Sequence, residues 1–195
     1  MIRFFDIIFS FFGLLFLGPL FLIVAIWIVI DNPGPVFYRQ QRVGKDGKDF
    51  GLLKFRSMRV GADKMSLITI GDRDPRVTRA GFYIRKYKLD ELPQLWNVLI
   101  GDMSLVGPRP EVRRYVDVYT DEQRKVLSVR PGITDYASIE YIDENILLAQ
   151  SKDPNKTYID QIIPAKIALN MRYIDHHTLG EYFKIIFLTF YKIIR

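Results

Sequence analysis

No charged residue lies between Asp6 and Asp31. The 24 residues between them are rich in Phe, Ile, Leu and Val, and about 20 apolar residues suffice to cross the hydrocarbon core of a bilayer. The rest of the chain must fold beside a helix that water solvates poorly. Gly18-Pro19 interrupts the segment midway. Proline removes a backbone donor and collides with the carbonyl four residues earlier. The sequence therefore predicts one helix over residues 3–30, broken at Gly18-Pro19. A kinked helix of this length can span, or it can turn back and leave by the face it entered; composition allows both. A secretory signal fits poorly, because Arg3 is a meagre basic start and the apolar run exceeds the roughly 7–15 residues of a signal core.

Hydrophobic residues make up 49% of the 195 and charged residues 26%, so the two populations are segregated along the chain. The formal charge of +6 is concentrated as well. Arg39 to Lys88 holds 14 basic against 5 acidic residues, and the remainder is net negative. A basic block directly after an apolar segment faces anionic headgroups, phosphorylated ligands or both. Nucleic acid is the competing partner, but the adjoining lipid-soluble segment makes a membrane the nearer anion. Cysteine is absent, which excludes disulfides, thiol catalysis and cysteine-ligated metal. His176 and His177 are adjacent and lack the i, i+4 spacing of a helical zinc site. They read as polar residues at a helix junction.

After the exit turn Asn32-Pro33-Gly34-Pro35, Val36–Tyr38 and Phe50–Phe55 read as strands around the hairpin signal Asp46-Gly47. Residues 61–79 read as a loop and Ala80–Tyr87 as a short helix. A further helix starts near Asp90, with Leu92, Leu95, Trp96 and Leu99 at i, i+3, i+4 and i+7. Residues 100–110 read as irregular. Thr120–Gln123 is a capping box, Tyr158–Tyr173 is helical, and Thr178–Glu181 caps a last helix running to Arg195. That helix carries Tyr182, Phe183, Ile186, Phe187, Phe190, Tyr191 and Ile194 on one wide face. Packing on the core and lying in the headgroup plane both suit it. The fold class read from these elements is α/β, helix-rich with a short β-hairpin.

Chemistry concentrates at Lys88-Leu89-Asp90-Glu91-Leu92-Pro93-Gln94-Leu95. As plain structure, Asp90 caps a helix, Glu91 complements its dipole and Pro93 suits a first turn. As chemistry, a helix N-terminus lowers a carboxylate's pKa and keeps it ionised, as a nucleophile or Mg²⁺ ligand requires. A carboxylate can also attack phosphorus to give an acyl phosphate. The basic company favours chemistry. Lys54 and Arg56 alternate on a predicted strand, Arg85 lies five residues before Asp90, and Arg109 sits between two prolines in Gly107-Pro108-Arg109-Pro110. Arginine's fork matches phosphate oxygens. Together they suggest a pyrophosphate site with a metal.

The chain resembles the bacterial sugar transferases, small monotopic phosphoglycosyl transferases that begin surface-glycan assembly. The resemblance runs from about Asp6 to Thr134. It rests on Gly34-Pro35-Val36-Phe37-Tyr38, Gln41-Arg42-Val43-Gly44, Lys54-Phe55-Arg56-Ser57-Met58, Leu89-Asp90-Glu91-Leu92-Pro93-Gln94 and Asn97-Val98-Leu99. It continues through the run from Gly101-Asp102-Met103 to Gly107-Pro108-Arg109-Pro110, and Arg130-Pro131-Gly132-Ile133-Thr134. The resemblance implies Asp90 as nucleophile and Mg²⁺ ligand, with Glu91 as its acid/base or positioning partner. It implies phosphate recognition by Lys54, Arg85 and Arg109, beside the Arg56 that strand alternation adds, and a UDP-sugar donor with a polyprenyl phosphate acceptor. It also implies that residues 1–31 form a re-entrant membrane helix bent at Pro19. Residues 32–195 would then be a catalytic domain with amphipathic interfacial helices on the cytoplasmic face of the bacterial inner membrane. Where members of the family often have Gly-Leu-Ala-Gln-Val-Asn-Gly, this chain has Asp135-Tyr136-Ala137-Ser138-Ile139-Glu140-Tyr141, which leaves the donor sugar open. Two rival readings remain: a membrane-tethered scaffold for anionic lipid, and a glycosyltransferase that releases UDP.

Overall fold

A computed structural model describes residues 1–62, 74–141, 147–148 and 150–194. Most of the expected loop over 61–79 lies outside the described residues. Helix α1, Ile2–Asp31, runs as one element through Pro19 and is long and apolar enough to cross a membrane. It ends where Asn32 turns extended before Pro33, as a residue preceding proline prefers.

Strands β1, Phe37–Val43, and β2, Asp49–Phe55, form an antiparallel hairpin with Phe37 opposite Phe55 and Val43 opposite Asp49. Asp46 and Gly47 both take positive φ at its tip, which that residue pair tolerates best. The hairpin falls where expected, but β1 runs five residues past Tyr38. The polar run Arg39-Gln40-Gln41-Arg42 shows no apolar alternation because most of that strand faces water.

Helix α2 spans Arg79–Lys86 and α3 Gln94–Ile100. They are followed by β3, Ser104–Val106, α4, Arg113–Val116, and α5, Asp121–Arg124, which is opened by the expected capping box. Strand β4, Gly132–Thr134, pairs parallel with β3, and α6 is Tyr136–Glu140. Helix α7, Pro154–Thr157, leads through a π-helical turn, Tyr158–Ile162, into α8, Ile163–Asp175. Helix α9, Leu179–Ile194, closes the chain. The stretch 100–110, read as irregular, thus contains a short strand whose partner lies far along the sequence.

Both ends of α1 are fastened to the same body. Near its start, Arg3 donates to the Val98 and Leu99 carbonyls at 2.5 and 2.9 Å, satisfying groups at the end of α3 as a cation does best there. Buried Asp6 accepts from the Ser104 hydroxyl, the Leu105 amide and the Tyr182 hydroxyl at 2.9–3.0 Å. In between, a Cβ added at Gly13 would meet Leu95 at 3.1 Å, so the two helices lie close. At the far end Val24 and Ile28 pack with Phe55, Ala80 and Ile84, and Asp31 accepts the Ala80 amide at 3.0 Å. Phe11, Phe12, Leu15, Phe16, Leu22 and Ile23 are left exposed.

Helix α3 buries a different face from the one its apolar spacing predicts. Gln94, Asn97 and Val98 point inward while Trp96 is 47% exposed. Asn97 is the reason: its amide accepts from Leu53 N and donates to Gly51 O, both at 2.9 Å, stapling the helix to β2. The last helix divides its aromatic face. Tyr182 and Ile185 are buried with Val106 and Tyr173, whereas Phe187 and Phe190 are exposed and Phe183 packs edge-on against Phe5 of α1. The core-packed reading describes one part of the helix, and the rest of its aromatic face is exposed.

Candidate active site

The Asp90-Glu91 pair lies in a 3₁₀ turn, Leu89–Glu91, between α2 and α3. Lys88 precedes it in the left-handed region, at φ 56°, a conformation a non-glycine residue adopts only at some cost. The reversal folds both carboxyl groups back toward the hairpin. Asp90 therefore does not cap α3, whose N-cap is Pro93, and the expected helix-dipole lowering of its pKa is not what the structure gives. Burial and the charge of Glu91 instead raise the Asp90 pKa, against the cations Lys54, Arg85 and Lys88. Among the described residues no hydrogen bond or ion pair reaches its carboxylate.

Glu91 is in the opposite condition. Arg109 donates to both of its oxygens, one at 3.2 Å, and Lys54 Nζ lies 3.9 Å from it. Burial opposes ionisation, yet Arg109 and Lys54 outweigh it and hold the Glu91 carboxyl well below the usual carboxylate range. Glu91 in turn drives Arg109 above the ordinary guanidinium range. Lys54, on β2, is pushed down to about 8, chiefly by burial, with Glu91 pulling the other way.

Arg109 owes its place to its loop. Gly107 N donates to Thr134 O and Gly132 N to Pro108 O, both at 3.0 Å. A Cβ at Gly132 would meet Gly107 N at 2.1 Å, so only glycine allows the approach. Arg109 N donates to Asp135 at 3.0 Å, and Arg42 donates to Pro110 O at 3.1 Å.

Of the four basic residues read as phosphate ligands, Lys54 and Arg109 join the acidic pair directly. Arg85, half-buried in the last turn of α2, acts on Asp90 through its charge. Arg56 departs from the expectation. It is 6% exposed, and its guanidinium donates to the Asn32 and Pro33 carbonyls at the exit of α1. Strand β2 ends at Phe55, so the alternation that would pair Arg56 with Lys54 does not extend to it. Sequence reasoning gave no role to Arg42, Glu111, Asp135 or Asn170. Arg42 lay in a motif read for resemblance alone; the structure sets it 3.6 Å from Glu111, which also accepts from the Tyr158 hydroxyl.

Among the described residues no three His, Asp or Glu side chains converge, so no all-protein metal cage is formed. The donor set does suit Mg²⁺, which is commonly held by one or two carboxylates completed by substrate phosphates and water. Asp90, unengaged beside three cations, is the carboxylate that fits.

A family model described as bacterial sugar transferase matches residues 1–195. The chain is 47% identical over 127 residues to an Aeromonas hydrophila protein named UDP-N-acetylgalactosamine-undecaprenyl-phosphate N-acetylgalactosaminephosphotransferase, covering 63% of this chain and 30% of that one. It is 33% identical over 195 residues to the UDP-glucose:undecaprenyl-phosphate glucose-1-phosphate transferase of Escherichia coli, covering 96% and 39%. It is 38% identical over 201 residues to the galactosyl transferase CpsE of Streptococcus agalactiae, covering 96% and 40%. The chain thus spans only 30% to 40% of the length of these relatives.

Proposed function

The chain belongs to the bacterial sugar transferase family, and on that footing we propose that it transfers a sugar 1-phosphate from a UDP-sugar to undecaprenyl phosphate, releasing UMP. One observation carries the reading: an unengaged carboxylate, Asp90, stands beside a second carboxylate, Glu91, that already holds Arg109 and Lys54. A lipid-headgroup binder gains nothing from carboxylates among its cations, whereas a phosphoryl-transfer site needs both a nucleophile and fixed positive charge.

In the first half-reaction an Asp90 oxygen attacks the β-phosphorus. The bond from that phosphorus to the bridging oxygen breaks, UMP departs, and a phospho-sugar remains on Asp90 as an acyl phosphate. In the second, an oxygen of undecaprenyl phosphate attacks the same phosphorus, giving the polyprenyl diphosphate sugar and restoring the carboxylate. Glu91 acts by position. Its depressed pKa and double engagement make it a poor proton carrier but a firm anchor for Arg109 and Lys54, which meet the donor's phosphate oxygens. Asp90 would hold a Mg²⁺ ion, which would supply neutralisation of the charge on the transferring group.

The same reading seats α1 in the cytoplasmic leaflet of the inner membrane. Its two ends touch one body, and the exposed residues Phe11, Phe12, Leu15 and Phe16 lie around its middle. A helix that crossed the bilayer would carry one end roughly 30 Å from the other side's contacts. Phe187 and Phe190 of α9 extend the apolar surface toward the headgroups.

The test is product identity. Purified protein is given a panel of UDP-sugars with and without undecaprenyl phosphate, and then EDTA followed by Mg²⁺. UMP release that chelation abolishes and Mg²⁺ restores is expected. Release of UDP would instead indicate glycosyl transfer without phosphate, and no nucleotide release on any donor would leave the scaffold reading.

A further inference from the structure

Asp135, where β4 passes into α6, uses its two carboxylate oxygens for different purposes. Oδ1 accepts the Ser138 amide at 2.6 Å and so caps α6. Oδ2 takes no part in the cap. It accepts the Arg109 amide at 3.0 Å and the Asn170 side-chain amide of α8 at 2.7 Å. Asp135 is 1% exposed and Asn170 4%. A helix cap needs a single acceptor, which Ser, Thr or Asn supplies equally well. Burying a full carboxylate is costly unless its other oxygen is also used. Here that oxygen holds the backbone of the residue whose guanidinium grips Glu91.

We infer that Asp135 is a positioning residue for Arg109, fixing the root of that side chain so that its guanidinium stands over Glu91 and the donor's diphosphate. This rests on the nucleotide-sugar reading above. The other supports of the loop do not duplicate it. The bonds from Gly107 to Thr134 and from Gly132 to Pro108 hold the residues before Arg109, and Arg42 holds the carbonyl of Pro110 after it. The Arg109 amide itself is held by Asp135. Its negative charge also adds to that of Glu91, the larger influence, in keeping Arg109 protonated.

The experiment is a double-mutant cycle in the full chain in detergent, comparing wild type, Asp135→Asn, Arg109→Lys and the double variant. The readouts are UDP affinity with Mg²⁺ and hydrogen exchange at the Arg109 amide. Asp135→Asn preserves volume but sets an N–H₂ among three N–H donors. It should weaken UDP binding about tenfold when Arg109 is present and less than about twofold when Lys replaces it, because coupled residues are non-additive. Exchange at the Arg109 amide should quicken. Equal losses in both backgrounds, or unchanged exchange, overturn the inference. Should Asp135→Asn fail to fold, Asp135→Ser keeps a cap acceptor and deletes the second oxygen, and is read the same way. A wild-type chain that binds no UDP counts against the nucleotide reading alone. Exchange then decides: faster exchange in the variant supports the positioning role and unchanged exchange removes it.

Discussion

Asp90 and Glu91 are neighbours in the chain whose carboxyl groups are driven in opposite directions. Burial and the adjacent negative charge push Asp90 up, while Arg109 and Lys54 overcome burial to pull Glu91 down. The pair divides the labour of the site. One carboxylate is spent on holding cations, and the other is kept open beside them.

From this division, Asp90→Asn should abolish the covalent step, lowering turnover by on the order of a thousandfold or more, as loss of a nucleophile does. Wild-type enzyme with donor and no lipid should release UMP in an amount limited by enzyme and gain the mass of one phospho-sugar on the Asp90 peptide. Acyl phosphates hydrolyse, so acid-quenched samples are required. Because the open carboxylate is buried beside a like charge, the Asn variant should melt no lower than wild type. UMP that appears only with lipid, with no adduct under quench, would mean direct transfer and leave Asp90 as a metal ligand.

Lys54 predicts the alkaline side of the pH profile. Its pKa is pushed down to about 8, so the free enzyme loses this cation as pH rises through that value. The ratio kcat/KM, which reports the free enzyme, should fall as pH rises above about 8, while the raised pKa of Asp90 governs the acid side. In the donor complex, phosphate oxygens favour the charged lysine, so the limb in kcat should lie at higher pH. Lys54→Arg, charged throughout, should erase the alkaline fall in kcat/KM. A limb that persists unchanged in the Arg variant assigns the titration elsewhere.

Arg109 and Arg56 are both arginines of resemblance-bearing motifs, but the structure gives them different work. Arg109→Lys keeps charge and loses the fork, which should cost about 10–100-fold in activity, from the roughly 1.5–3 kcal/mol of a charge-assisted hydrogen bond. Arg56→Lys should lower the melting temperature, since it frees carbonyls at the exit of α1, and leave KM for the donor within about twofold. A large KM effect at Arg56 with normal melting would return it to the phosphate site.

Features governed by local chemistry were legible in the sequence. The Asp46-Gly47 turn, the Thr120 capping box and the apolar helix each depend on a few adjacent residues, and each forms near its predicted place. What escaped depends on partners far along the chain. Three-residue β3 and β4 pair across 28 positions, Ser104 with Gly132, and neither shows an apolar alternation long enough to read. Helix α3 turns Asn97 inward because distant backbone groups of β2 await it. At the site, residue types gave Asp90, Glu91, Lys54 and Arg109. The electrostatic roles were not readable, since the direction of the Asp90 pKa follows from burial and not from its nearness to a helix start.

The topology of α1 gives the last prediction. Asp6 at one end accepts three hydrogen bonds from β3 and α9, and Asp31 at the other accepts the first turn of α2. A crossing helix would have to surrender one set, and hydrogen bonds to a buried charge are worth about 1.5–3 kcal/mol each. Both ends should therefore lie on one side of the membrane, which on the proposed function is the cytoplasmic side. The chain has no cysteine, so single cysteines report cleanly: one in a short tag before Met1, another at Lys45 on the exposed hairpin tip. Both should resist an impermeant thiol reagent in intact cells and react after lysis. Reaction of the tag alone in intact cells would establish a spanning helix. Pro19→Leu removes the break in the apolar run and should raise the labelled fraction of the tag slightly. Combined with Asp6→Ala it should rise further, because the bonds that hold the first turns to the domain are then gone. If the double variant labels no more than Pro19→Leu alone, the anchorage at Asp6 is not what keeps the N-terminus inside.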